Sequence, residues 1–275
     1  MFKTSKLLMT TKIPKSYKYL IPHSFEKLKR VGGPFDGGYI VAQKPLDETD
    51  LLISFGLGET FDLEIEFDNK KKPALVYDHT VSNKVYLFRL LKQIRRFFHF
   101  KSNLNSIYKK YCTLLEYRRL NKSSRFKHYQ KKITDTPTNS KEININDILK
   151  KTDSKNIFFS IDIEGDEYKI IKDLNYFHDR INIIVLEFHD IEKNIYNFEK
   201  AINLLSKNFL IIHLHGNNCS YICENGIPNV MEVTLVNKKK YSHLKQDSVV
   251  TRFPIEGLDQ PNYQFAPDHK FEFET

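Results

Sequence analysis

The sequence predicts an α/β fold, a mostly parallel sheet with helices on both faces. Three observations predict it. Short apolar runs of strand length alternate with stretches of helical periodicity along most of the 275 residues, the pattern of a sheet built from crossover units. Hydrophobic residues make up 40% of the chain, with 21 Phe and 15 Tyr, enough to fill a core and incompatible with a disordered chain. Glycines and carboxylates punctuate the ends of the apolar runs, and in open parallel sheets ligands sit outside the carboxyl ends of the strands. At roughly 150 residues per domain, the length suits one large domain or two small ones.

The elements follow in order. Leu51–Phe55 is a short apolar run that ends in Gly56-Leu57-Gly58, and Thr60–Phe67 carries apolar residues at helical spacing. Ala74–Tyr77 is a second buried strand ending at Asp78, and Ile143–Lys150 is a short helix. Ile157–Ile163 is a strand, Glu167–Leu174 a helix, Ile181–Phe188 a strand and Tyr196–Ser206 a helix. Phe209–His213 and Val230–Val236 close the series as strands. The greasiest runs, Ile181–Phe188 and Phe209–Leu214, have the length of buried strands and not the ~18 apolar residues of a membrane span. Met1–Lys18 has scattered lysines without an apolar segment before a small-residue cleavage site, so no secretory signal is expected. Three cysteines, Cys112, Cys219 and Cys223, make no disulfide framework and no zinc knuckle. A reduced, cytoplasmic setting is expected.

The net charge of +9 is unevenly placed. Residues 84–132 hold nine Lys and six Arg against one acid, Glu116, a balance of +14 that leaves about −5 for the rest. Leu87, Leu90, Leu91, Ile94, Phe97 and Phe98 recur there at helical spacing, as do Leu104, Ile107, Tyr108, Tyr111, Leu114 and Leu115. Two or three amphipathic helices with basic outer faces are expected. Such a segment is either a solvated face or an anion-binding cap over an active site. Nucleic-acid binding lacks a recognition motif, and no nucleic-acid partner is favoured.

Two features mark a cofactor site at the carboxyl edge. Gly56 and Gly58 let the backbone turn tightly and approach a ligand that a Cβ would block. Asp78 stands 20 residues after Gly58, where a carboxylate accepts hydrogen bonds from ribose hydroxyls. A dinucleotide fold wants a third glycine under the pyrophosphate; here Phe61 takes that place and Glu59 lies beside the loop. S-adenosylmethionine (SAM) carries a sulfonium and no phosphate, and suits an acidic, glycine-bearing loop better than a dinucleotide does.

Asn146-Asp147-Ile148-Leu149 precedes Phe159-Ser160-Ile161-Asp162-Ile163-Glu164-Gly165-Asp166-Glu167, and Ile183–Glu187 follows. This run resembles the FkbM-type methyltransferases, whose hallmark is an LDDLL-like helix before a strand reading KIDVEGAE. Asp162, Glu164, Gly165 and Glu167 match, while Ser160 replaces Lys and Asp166 replaces Ala. The segments Arg30–Gly33, Asp36–Tyr39 and His213–Asn218 look like flanking motifs of a bacterial branch. The resemblance implies a Rossmann-like SAM methyltransferase fold with seven strands, the last antiparallel. It also implies O-methylation of sugars or related small molecules, with the segment before the first strand closing over the cofactor and Tyr39 packing nearby. Residues 84–132 have no counterpart in the general pattern.

The expected organisation is thus a single domain over 1–275, with a cofactor-covering segment at 1–45, a basic helical insertion at 84–132 and a strap at 256–275. Methyl transfer to an alcohol needs alignment and removal of the hydroxyl proton. Alternation puts Asp162 and Glu164 on one side of an extended strand, and likewise Glu187 and His189. The expected catalytic residues are His189, His215 and Asp162, with histidine as general base because imidazole titrates near neutral pH. Gly56, Gly58, Glu59, Asp78, Asp162 and Tyr39 are expected at the cofactor. Asp162, Glu187, His189 and His215 would also suit a divalent ion, a use possible here but not favoured. His213 sits in an apolar run and reads as a satisfied core residue, while Asn217 and Asn218 hold either a turn or a substrate hydroxyl. The expected acceptor is an anionic, nucleotide-linked or phosphorylated sugar from surface-polysaccharide synthesis. A methyltransferase of RNA or protein, or a non-catalytic interaction protein on the same fold, are the alternatives.

Overall fold

The computed structural model describes residues 10–274, so the start of the 1–45 segment and the terminal Thr275 of the strap lie outside the described residues. Seven strands form the central sheet: β1 (Leu51–Phe55), β2 (Ala74–Tyr77), β3 (Phe126–Tyr129), β4 (Ile157–Ile161), β5 (Ile181–Phe188), β6 (Phe209–Gly216) and β7 (Met231–Asn237). Their spatial order is 3-2-1-4-5-7-6. Neighbours from β3 across to β5 run parallel, and β7 is antiparallel to both β5 and β6. The sequence direction reverses between β1 and β4, which is where an open sheet of this kind leaves a crevice.

Alternation explains why the strands stay put. Ile53, Phe55, Phe159 and Ile161 pack into one core layer, whereas Leu52, Val76 and Phe158 pack into the other. Every residue of β1, β4 and β5 is buried, as expected of strands covered on both faces. Helices α1 (Asp62–Asn69), α2 (Asn83–Phe98), α3 (Leu104–Leu120), α4 (Ile145–Leu149), α5 (Glu167–Tyr176) and α6 (Ile195–Leu205) connect them. Three of these six helices begin with side-chain caps: Ser82 accepts from Val85 N, Asn103 from Ser106 N, and Asn144 from Asp147 N, each satisfying an amide that the helix leaves unpaired.

The structure departs from the sequence expectation in four places. Residues 126–129, read as part of a helical segment, form the edge strand β3 beside β2. The run FKHY is short and half polar, so its strand character comes from pairing and not from its own pattern. The run expected to end at His213 continues to Gly216, which puts His215 inside a strand. Conversely, β4 stops at Ile161, so Asp162 and Glu164 sit on the turn beyond it and not along a strand. Finally, seven of the twelve apolar positions singled out on α2 and α3 do not face the core. Leu90 and Leu114 are buried, but Leu87, Leu91, Phe98, Leu104, Tyr108, Tyr111 and Leu115 are exposed.

Outside the sheet, Leu28–Gly32 and Gly38–Ala42 pair as a hairpin whose turn is the Asp36-Gly37-Gly38 segment. Arg30 donates to Gly33 O at 2.9 Å and Phe35 O at 2.8 Å, and a Cβ on Gly38 would lie 1.9 Å from Gly33 O. Phe271–Phe273 pairs with Thr11–Ile13 and with Arg252–Phe253, with Phe271 and Phe273 buried. Among the described residues no helix is long and apolar enough to cross a membrane.

Candidate functional site

The register of β1 and β4 sets the site. Ser160 pairs with Ser54 and Ile161 with Phe55, so both strands end level, and Asp162 N donates to Phe55 O at 2.9 Å. Gly56 turns away with φ +84, and a Cβ there would lie 1.9 Å from Asp162 O. No side chain fits between the two strand ends. Gly58, with φ +57, faces open space instead.

A cavity of about 230 Å³ opens over these ends, lined by Gly56, Gly58, Glu59, Asp78, Asp162 and Tyr39. All six residues expected around a cofactor therefore share one space. Asp36, Glu64, Tyr77, Glu164, Lys131 and Lys132 also line it. Asp78 closes the glycine loop: Oδ2 accepts from Leu57 N at 2.8 Å, and Oδ1 accepts from Thr80 N and Thr80 Oγ1 at 2.7 and 2.6 Å. Burial works against its charge, but these bonds outweigh burial and hold the carboxyl below its ordinary range. Glu59 points to the helices, paired with Arg89 at 3.1 Å and with Lys110. Glu64 was not singled out from the sequence; burial lifts its pKa to about 7. Of the fifteen Lys and Arg in residues 84–132, only Lys131 and Lys132 line the cavity. The helices 83–98 and 104–120 reach the cavity indirectly, through Arg89 and Lys110 on Glu59 and Tyr86 on Gly58 O.

His189 lies just past the end of β5, at the head of a cluster of acids. Its Nδ1 is 2.8 Å from Glu167 Oε1, and the same oxygen accepts from Ile163 N and Gly165 N. Glu167 thus ties the turn after β4 to the imidazole. His189 Nε2 lies 3.7 Å from Asp162, 3.6 Å from Glu164 and 3.8 Å from Glu187. One imidazole facing four carboxylates holds its proton: burial opposes the charge, but Glu167, Glu187 and Asp162 raise the pKa to about 9. Burial lifts Asp162 to about 7 against the pull of His189, with Glu164 and Asp36 adding to it, and Asp162 Oδ1 is buried without a hydrogen-bond partner. Asp162, Glu164 and His189 each offer an atom within 4.8 Å of the others, close enough to hold a metal ion.

His215 does not join this cluster. Its Nε2 is 3.0 Å from Asp268 and its Nδ1 3.5 Å from Glu232. Burial disfavours its charge, yet the two acids raise its pKa well above 6.5, and neither ring nitrogen is left to take a proton from a substrate. The expectation that His215 serves as a base, or as a metal ligand beside His189, assumed that β6 and β5 end side by side; β7 lies between them. Glu187 is buried and accepts from Asn217 Nδ2 at 2.7 Å. Asn218 binds Tyr263 N and the carbonyls of Tyr263 and Ala266, so this pair holds structure. His213, read as core, is buried 3.1 Å from Asp259. Glu167 was visible beforehand only as a position in a motif; nothing in its spacing marks it as a partner of a histidine 22 residues away.

The sequence model of the methyltransferase FkbM domain matches residues 41–223. Among curated proteins no sequence matches. Among solved structures, the high-resolution crystal structure of WbdD is similar at 10% identity and a TM-score of 0.37, over 79% of this chain and 39% of that one. WbdD with the kinase inhibitor LY294002 matches at 10% identity and a TM-score of 0.36, over 79% and 40%. The chain spans about two fifths of the length of these two structures.

Proposed function

The chain belongs to the FkbM methyltransferase family, and from that premise we propose that it moves a methyl group from SAM to a hydroxyl of an anionic sugar or sugar-containing small molecule. The observation that carries the reading is the convergence of the glycine turn, Asp78 and the Asp162 turn on one cavity. The residues fit SAM. The wall over Gly58 is open where a side chain would stand, Asp78 is kept ionised for ribose hydroxyls, and Asp162 and Glu164 supply negative charge suited to a sulfonium. When bound, SAM supplies an electrophilic methyl group.

The remaining work falls to the chain's own side chains. Glu167 fixes the His189 ring through Nδ1, which leaves Nε2 without a hydrogen bond and directed toward Asp162 and Glu164. In its neutral form that nitrogen takes the hydroxyl proton of the acceptor. Positive charge brought against Asp162 and Glu164 lowers the His189 pKa from its raised value, so ligand binding itself frees the base. Lys131 and Lys132 at the cavity rim hold the acceptor's anionic part, Lys132 being 2.7 Å from Asp166. The fold itself is one domain, with α2 and α3 as additions between β2 and β3. The setting is cytoplasmic synthesis of surface polysaccharide.

Calorimetry with S-adenosylhomocysteine tests the cofactor: micromolar binding is expected, lost in Asp78→Ala, with no heat from NAD or NADP. Absence of binding assigns the chain to a non-catalytic role. A divalent ion is a second reading, favoured by the spacing of Asp162, Glu164 and His189. Asp162, Glu164 and His189 would hold it, and it would supply a Lewis acid for a substrate hydroxyl; this reading predicts activity lost in EDTA and restored by Mg²⁺ or Mn²⁺.

A further inference from the structure

The hairpin of α2 and α3 carries apolar surface that no other element covers among the described residues. On α3, Leu104, Tyr108, Tyr111 and Leu115 recur at i, i+4, i+7 and i+11, the spacing of a buried stripe, yet all four are exposed. On α2, Leu87, Leu91 and Phe98 make a second exposed stripe with Phe88 at its edge. At the tip between the helices, Phe98 is 74%, Phe100 98% and Leu104 69% exposed. Exposed apolar side chains in this number on one hairpin mark an interaction site. It is embedded in positive charge, since residues 83–120 contain ten Lys and Arg and one acid, Glu116.

We propose that this hairpin docks the protein on an anionic lipid bilayer, with the tip phenylalanines and leucine entering the headgroup region and the flanking Lys and Arg facing lipid phosphates. The charge distribution selects this occupant. A second copy would bring two faces of the same strong positive charge together, which opposes isologous pairing. A nucleic acid would be gripped by the cations and stacked on by the aromatics, but it leaves Leu87, Leu91, Leu104 and Leu115 with no partner. A bilayer interface takes both components, aliphatic and aromatic side chains into the acyl boundary and basic ones at the phosphates. The hairpin is tied directly to the cofactor loop: Tyr86 donates to Gly58 O at 2.6 Å, and Arg89 and Lys110 pair with Glu59. Docking therefore holds the cavity close to the membrane surface, where an acceptor carried on a lipid is presented.

Sedimentation of the full chain with phosphatidylcholine vesicles, with and without phosphatidylglycerol, tests this at about 0.15 M salt. Binding to the anionic vesicles should exceed binding to neutral ones by at least about tenfold and weaken as salt rises. The triple variant Phe98→Ser, Phe100→Ser, Leu104→Ser should lose about tenfold in that binding. All three residues are exposed, so its melting temperature and S-adenosylhomocysteine affinity should not move. Those two readouts separate a failure of docking from a failure of the methyltransferase reading. Equal binding to both vesicle types, or a variant that binds as well as the parent, overturns the proposal. So does a concentration-dependent dimer, or a complex with single-stranded RNA, that the triple substitution abolishes.

Discussion

The turn after β4 and the tip of the α2–α3 hairpin are opposite solutions to the placement of charge. At the turn, Asp162, Glu164, Glu167 and Glu187 crowd one imidazole; burial makes Asp162 keep a proton, and the carboxylates make His189 keep its own against burial. At the hairpin, cations and large apolar side chains share the solvent. The first arrangement is costly unless a cation or a proton occupies it. The second is costly unless something covers its apolar stripes. Both are incomplete as they stand, and each names what completes it. The +9 of the whole chain belongs almost wholly to the second region and says nothing about the chemistry of the first.

The sharpest way to break this contrast is to remove the imidazole. His189→Gln should lower turnover by about 10² to 10⁴-fold, the range for loss of a general base, while binding of S-adenosylhomocysteine survives. His215→Gln is the control. Both nitrogens of His215 are already taken by Asp268 and Glu232, so its loss should lower the melting temperature by several degrees and leave turnover per folded molecule nearly intact. Steady-state rates normalised to folded protein distinguish the two. Equal rate losses would return His215 to the active site.

Backbone geometry is the next lever. Gly56→Ala places a methyl 1.9 Å from Asp162 O at a φ of +84, so the strand ends must separate. A cost of about 1–3 kcal/mol is expected for strain of this kind, read as a lower denaturant midpoint together with weakened cofactor binding. Gly58→Ala meets no atom within 4 Å and should cost less, from its positive φ alone.

Which of these features were legible beforehand follows from their range in the sequence. The glycine turn, Asp78 and the acids after β4 were readable, because each is a local signal at the end of an apolar run. The six strands with apolar runs were readable for the same reason. β3 was not, since FKHY becomes a strand only by pairing with β2. His189 was readable as a residue type near a strand end, but its partner Glu167 was not, because an imidazole–carboxylate contact between the turn after β4 and the end of β5 depends on sheet order. His215 misled for the same reason: its sequence position is open, and only the strand order and the C-terminal segment that brings Asp268 reveal it as enclosed. The helical periodicity of α2 and α3 was correct, but periodicity reports that a stripe exists and not what covers it.

The Glu167 contact gives a smaller, signed effect. With the neutral imidazole as the proposed base, kcat/KM of the free enzyme should climb with pH toward the raised value of about 9 and level off above it. Glu167→Gln keeps an acceptor for Nδ1 but removes its charge, which lowers the pKa of His189 toward 6.5 and moves the rising limb to lower pH, with roughly a tenfold loss on the plateau. A residue that merely held the turn would lower the whole profile without displacing it.

The smallest effect lies where the two regions meet. Glu59 begins in the glycine loop after β1 and ends on Arg89 and Lys110 of the hairpin, with each of the three side chains about one third exposed. Pairs in such surroundings are worth under about 1 kcal/mol after screening, so Glu59→Gln should barely move the melting temperature. If the hairpin is only a docking element, the substitution should also leave turnover on a soluble acceptor within about twofold, because Tyr86 still holds Gly58 O and the loop keeps its shape. A larger loss on the soluble acceptor would mean that the hairpin positions the cofactor loop directly, and that the contrast between an acidic site and a basic surface describes one machine with a shared joint. A loss confined to vesicle-bound acceptor would keep the two regions separate in chemistry and joined only in placement.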